Sequence, residues 1–263
     1  MLSLTLYRRL NSMKLDFRPW VIPVVLVVVW EIIVRLEVIS ASLFPSPLTI
    51  VETGWNLLVN GDLMTHIGVS LWRALTGMLI GGVIGFVLGV LNGLSKKSYI
   101  YLDTTIQMIR NIPHLALIPL VIVWIGIGED AKIFLVALGV LFPIYVNTFH
   151  GIRNVDPNLV EMGRMYNLKG WSLFKDVLLP GALPSIFVGL RYALGVMWLT
   201  LIIAETIPTN EGLGYLATNA REFMQTDVII LSIIIYALLG KLADLIAQFG
   251  ENRALKWNAS YTK

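Results

Sequence analysis

With 56% of its 263 residues hydrophobic and only 14% charged, the chain has too little polar surface to enclose its apolar content as a soluble domain. Cysteine is absent, which excludes disulfides, thiol nucleophiles and cysteine-held zinc, and the three histidines (His66, His114, His150) lie far apart without metal-ligand spacing. The net charge of +3 is small, so the positions of the basic residues carry more information than their sum.

A membrane-spanning helix needs roughly 20 mainly apolar residues. Six segments qualify and predict an all-α, polytopic membrane protein: 20–36, 67–94, a stretch within 105–127, another within 131–151, 186–207 and 228–249. The first follows a leucine- and cation-rich stretch, residues 1–19, expected to lie along the membrane surface. It imitates a signal peptide up to Ser40-Ala41-Ser42, but it contains Glu31 and Arg35, and the later spans need it in order to alternate correctly. Glu31 and Arg35 stand four apart and are expected to pair near an interface.

The second segment carries Gly77, Gly81, Gly85, Gly89 and Gly93, a stripe suited to close helix packing, within the chain ahead of between copies. The third holds Pro113 and Pro119, which predict a kink. Beside them, Arg110, Asn111 and His114 either line a pathway or make helix–helix hydrogen bonds. Arg73, Arg191 and Glu205 fall near span ends, where snorkelling to the interface is expected.

Basic residues cluster before the first segment (Arg8, Arg9, Lys14, Arg18) and in alternate loops: Lys96 and Lys97, then Arg153, Arg164, Lys169 and Lys175. They return after the last segment as Arg253, Lys256 and Lys263. The intervening loops hold almost none. This positive-inside pattern predicts cytoplasmic termini and divides the chain into three parts: an N-terminal segment 1–19, a transmembrane region 20–250 with a cytoplasmic loop 152–185, and a cytoplasmic tail 251–263.

That loop is the most informative part. Asp156-Pro157 is a helix-start signal, and a short helix should run to about Tyr166. Asn167 suits a left-handed turn. A second short helix should follow Gly170, capped by Ser172 and ended by Pro180, with Pro184 leading into the fifth span. Two short helices across a tight turn make a compact knob.

The loop resembles one in permeases of binding-protein-dependent ABC importers, of the form E-A-A-x3-G-x9-I-x-L-P. Glu161-Met162-Gly163, Asn167, Val177, Leu179 and Pro180 stand at its spacing. Met162 and Gly163 replace the alanines, Asn167 the glycine and Val177 the isoleucine, and the turn chemistry survives. Similarity to the sulfonate/nitrate/taurine branch, and within it to aliphatic sulfonate permeases, extends over Arg110–Leu120, Ala131–Gly139, Phe142–Tyr145, Met197–Thr206 and Gly212–Tyr215.

The resemblance implies the type I ABC importer permease fold in a bacterial inner membrane. It also implies a homodimer of this chain, an ATPase subunit that holds ATP and Mg, and an extracytoplasmic binding protein. Glu161, Met162, Gly163, Tyr166, Asn167, Gly170, Val177, Leu179 and Pro180 would belong to the ATPase-coupling loop. Arg110, Asn111, His114, Trp198, Thr200 and Glu205 would be path residues. No phosphate-cradling G-x-x-x-x-G-K-[ST] loop, catalytic constellation or nucleic-acid module is present, so the chain is expected to be a transport subunit that binds no cofactor itself. Taurine, nitrate or bicarbonate are alternative substrates, and a secondary transporter or channel is the alternative class.

Overall fold

The computed structural model describes residues 18–40 and 43–257; most of the N-terminal surface segment and the end of the tail lie outside them. The described residues form helices and connecting turns only. In chain order these are α1 (Arg18–Arg35), α2 (Pro47–Val59), α3 (Asp62–Leu94), α4 (Lys96–Arg110), α5 (Ile118–Ile125), α6 (Glu129–Arg153), α7 (Pro157–Met165), α8 (Gly170–Ala204), α9 (Leu213–Glu222) and α10 (Thr226–Ala254). Side-chain acceptors start several of them. Ser46 Oγ accepts from the Thr49 amide ahead of α2, and Ser95 Oγ from the Ser98 amide ahead of α4.

Four helices, α3, α6, α8 and α10, are long and apolar enough to cross a membrane; α4 and α5, bent by 78° where they meet, make a fifth crossing if taken together. The bend falls at Asn111-Ile112-Pro113, where the proline disfavours continuation of the helix. The expected first span is α1. It is only 18 residues long, so Arg18, Glu31 and Arg35 all fall within any 18-residue stretch of it, whereas each of the four longer crossings contains a stretch of that length with at most two charges. Arg35 Nε does pair with Glu31 Oε1 at 2.6 Å, and the same carboxylate receives the Leu48 amide at 3.4 Å, tying α1 to α2.

The glycine stripe of α3 faces α6. A Cβ on Gly81 would lie 2.1 Å from the Ala137 carbonyl oxygen, and one on Gly85 2.4 Å from that of Leu141. Gly77, Gly89 and Gly93 instead receive the side chains of Val136, Thr148 and Ile152. At Gly81 and Gly85 the two backbones approach with no side chain between them, so dispersion contacts hold the pair where lipid offers no hydrophobic drive. On the other side of α6, Gly189 of α8 packs on Asn147. Helix α6 is thus clasped between α3 and α8, and most of its buried residues fall there.

Candidate functional site

The 152–185 loop forms the expected knob at one end of the bundle. Asp156 Oδ1 accepts from the Asn158 amide at 2.8 Å and starts α7. Asn167 ends it with φ 61°, the left-handed conformation its side chain tolerates. Ser172 Oγ accepts the Lys169 amide, closing the first turn of α8 behind Gly170 (φ 53°).

Two details depart from expectation. Pro180 does not end a short helix: α8 runs unbroken from Gly170 to Ala204. A widened π-turn at Phe174–Leu178 shifts the hydrogen bonding to i→i+5 just before the ring and accommodates the missing donor. Gly163 is buried against the methyls of Leu173 and Val177, each 3.0 Å from where a Cβ would stand. Alanine fits there only if those tips yield. The knob's outer surface is left to Glu161, Met162, Met165, Tyr166 and Trp171, all exposed, while Val177, Leu179 and Pro180 are partly buried beneath it.

Halfway along the bundle, the end of α4, the turn after it, α6 and α8 line an open cavity of about 340 Å³, formed by Arg110, His114, Gly139, Phe142, Pro143, Val146, Asn147, Tyr192 and Val196. Two of the six expected path residues line it. Arg110 ends α4 and has no carboxylate partner among the described residues. His114 Nε2 meets the buried Thr200 Oγ1 at 3.1 Å, and both abut Gly139, where a Cβ would stand 2.9 Å from that hydroxyl. Asn111 is exposed beside the bend. Trp198 is buried away from the cavity, edge-on to Tyr236 and against Gly240.

Sequence reasoning missed Asn147 and Tyr192. The signal was periodicity: Tyr192, Val196 and Thr200 recur every four residues, and so share one face of α8.

Glu205, the sixth, lies toward the opposite end from the knob, and neither it nor Arg73 snorkels. Both are about 1% exposed. Arg73 donates through Nε and Nη2 to the two Glu129 oxygens at 2.5 and 2.6 Å, and through Nη1 to Glu205 Oε1 at 2.7 Å. Glu205 also accepts from Ser70, the Gly214 amide and Tyr236. Lys132, likewise buried, reaches Glu129 at 3.3 Å, so the cluster balances two cations with two carboxylates. Such pairing is what permits ionic groups to be buried. Gly212, at φ 116°, and Gly214 leave room for Arg73 and Glu205 and draw α9 onto the bundle. Arg191 is held by Asp244 and Glu251 of α10 at 2.8 and 3.4 Å instead of reaching for the interface.

A broken crossing beside an open mid-bundle cavity, an ion-paired far end and a compact knob suit a helical membrane transport component. The chain belongs to the family described as binding-protein-dependent transport system inner membrane component, whose model matches residues 77–256. It is 59% identical over 243 residues to a protein of Escherichia coli (strain K12) named for aliphatic sulfonates transport, SsuC, with 92% of each chain covered. Identity to the Bacillus subtilis (strain 168) protein of the same name is 44%, over 91% of this chain and 87% of that one. The taurine transport system permease TauC of Escherichia coli (strain K12) is 32% identical, over 89% and 87%. Among solved structures, an amino acid ABC transporter with histidines matches with TM-score 0.62 and 17% identity, covering 75% of this chain and 96% of that one. The inward-facing MetNI methionine transporter matches with TM-score 0.59 and 20% identity, over 77% and 98%. The fold is that of the ABC importer permeases.

Proposed function

We propose that this inner-membrane component is the permease of an ATP-driven importer of aliphatic sulfonates. The observation that carries the substrate is the step in identity: 59% and 44% to two proteins named for aliphatic sulfonates, against 32% to the taurine permease and 32% to a nitrate import permease of Synechocystis. The family description supplies a binding protein as partner. The knob supports the remainder: a separate ATPase, holding ATP and Mg, docks on the exposed face around Glu161–Tyr166, and two copies of this chain form the pore between two such ATPases. Both termini then face the cytoplasm, in keeping with the basic residues of the knob and the tail.

Uptake of labelled short alkanesulfonates, with taurine and nitrate as competitors, tests the assignment in cells with and without the gene. Loss of sulfonate uptake on deletion, with little competition from nitrate, is expected. Unaffected uptake would overturn the substrate and redirect the search to the other anions.

A further inference from the structure

We infer that the mid-bundle cavity is a selectivity site of the permease itself, which takes an anionic head group on Arg110 and an alkyl tail against Phe142, Val146 and Val196. The inference rests on the sulfonate reading and adds to it a recognition step after delivery by the binding protein. A volume of about 340 Å³ is within the range of small-molecule sites, roughly 300–1,000 Å³. No carboxylate lines it, so an entering anion meets a guanidinium with no competing partner. His114 is engaged with Thr200, which leaves Arg110 as the head-group contact and Tyr192, exposed at the rim, as a second donor. The remaining wall is apolar, apart from Asn147, whose amide nitrogen donates to the Pro143 carbonyl at 2.9 Å. A cation facing apolar walls fits an anion with a tail better than it fits nitrate, which would leave the walls unfilled. An anionic lipid shares this chemistry, so the test separates the two.

The assembled importer is reconstituted in phosphatidylcholine vesicles, with and without anionic lipid. Uptake of ethane-, pentane- and octanesulfonate is measured at saturating binding protein, so that the permease sets the differences. Val146→Trp is expected to lower octanesulfonate uptake about tenfold relative to ethanesulfonate, the discrimination a pocket gains from one or two methylenes. Arg110→Gln is expected to lower uptake of all three about tenfold, while binding-protein-stimulated ATP hydrolysis persists. Val146→Ala, which does not crowd the bundle, should shift the preference toward longer tails. An unchanged chain-length profile in both Val146 variants overturns the inference, as does an Arg110 effect seen only when anionic lipid is present. Absence of sulfonate uptake by the unsubstituted complex overturns the functional reading instead.

Discussion

Arg73 and Glu205 exchange five or more hydrogen bonds with partners far away in the chain: Glu129 is 56 positions from Arg73, and Glu205 is 132. Removing Glu205 leaves the buried Arg73 with the half-exposed Glu129 as its one remaining carboxylate, and leaves the Ser70, Gly214 and Tyr236 donors without their acceptor. Glu205→Ala is therefore expected to cost about 3–5 kcal/mol, read as a lower unfolding midpoint of the detergent-solubilised protein; an unchanged midpoint would mean that the cluster is solvated. A pair of glycines gives a second test. Gly81→Ala places its methyl against the Ala137 carbonyl and should cost about 1–3 kcal/mol by overpacking. Gly195→Ala, on α8 with nothing within 4 Å, should stabilise by about 1 kcal/mol. Both read on the same melt, and equal effects would contradict the close packing described. At this scale the sequence was only partly legible. A regular stripe of glycines announces a packed face, but an arginine near a span end looks the same whether it reaches for water or for a glutamate more than a hundred residues away.

Among elements, the knob was the most readable, because its signals are local. Asp156-Pro157 sets the start of α7 and Asn167 its end, each through its own backbone preferences. Asn167→Gly should leave the knob intact. Asn167→Val forces a β-branched residue to φ 61° at a cost of about 1–2 kcal/mol and should open the loop to limited proteolysis; equal protection in both variants would show that the turn does not depend on residue 167. Pro180 was misleading for the opposite reason. A proline ordinarily stops a helix, and only a π-turn, which depends on the packing of Phe174 and its neighbours, lets α8 continue. Likewise, Pro113 signalled a break in the third span but not its angle, which depends on what α5 packs against.

For the whole molecule, the apolar blocks gave the all-helical architecture, but the crossings were harder to count. Four long helices stand out, the fifth is bent, and α1 is too short to hold an 18-residue stretch free of Arg18, Glu31 and Arg35. Within the assembled importer, Glu161→Ala is expected to lower transport-coupled ATP hydrolysis or assembly with the ATPase while membrane insertion and the melting midpoint hold. Coupling that survives would remove Glu161 from the docking face.

The seam between α3 and α6 has a mechanical consequence. Two helices that leave no room for a methyl group between them resist both sliding and bending, so together they form a beam. At 1.5 Å per residue, the 25 residues of α6 span about 37 Å. The knob hangs from the Arg153 end of that beam, and the buried Arg73 grips its other end through the half-exposed Glu129. If an ATPase pushes on the knob, such a beam would carry the push to the far end as leverage rather than as local distortion. Because the chain has no cysteine, paired labels can be placed at will: labels on Val83 of α3 and Phe134 of α6 should keep their separation through the ATP cycle, and a change in it would contradict the beam.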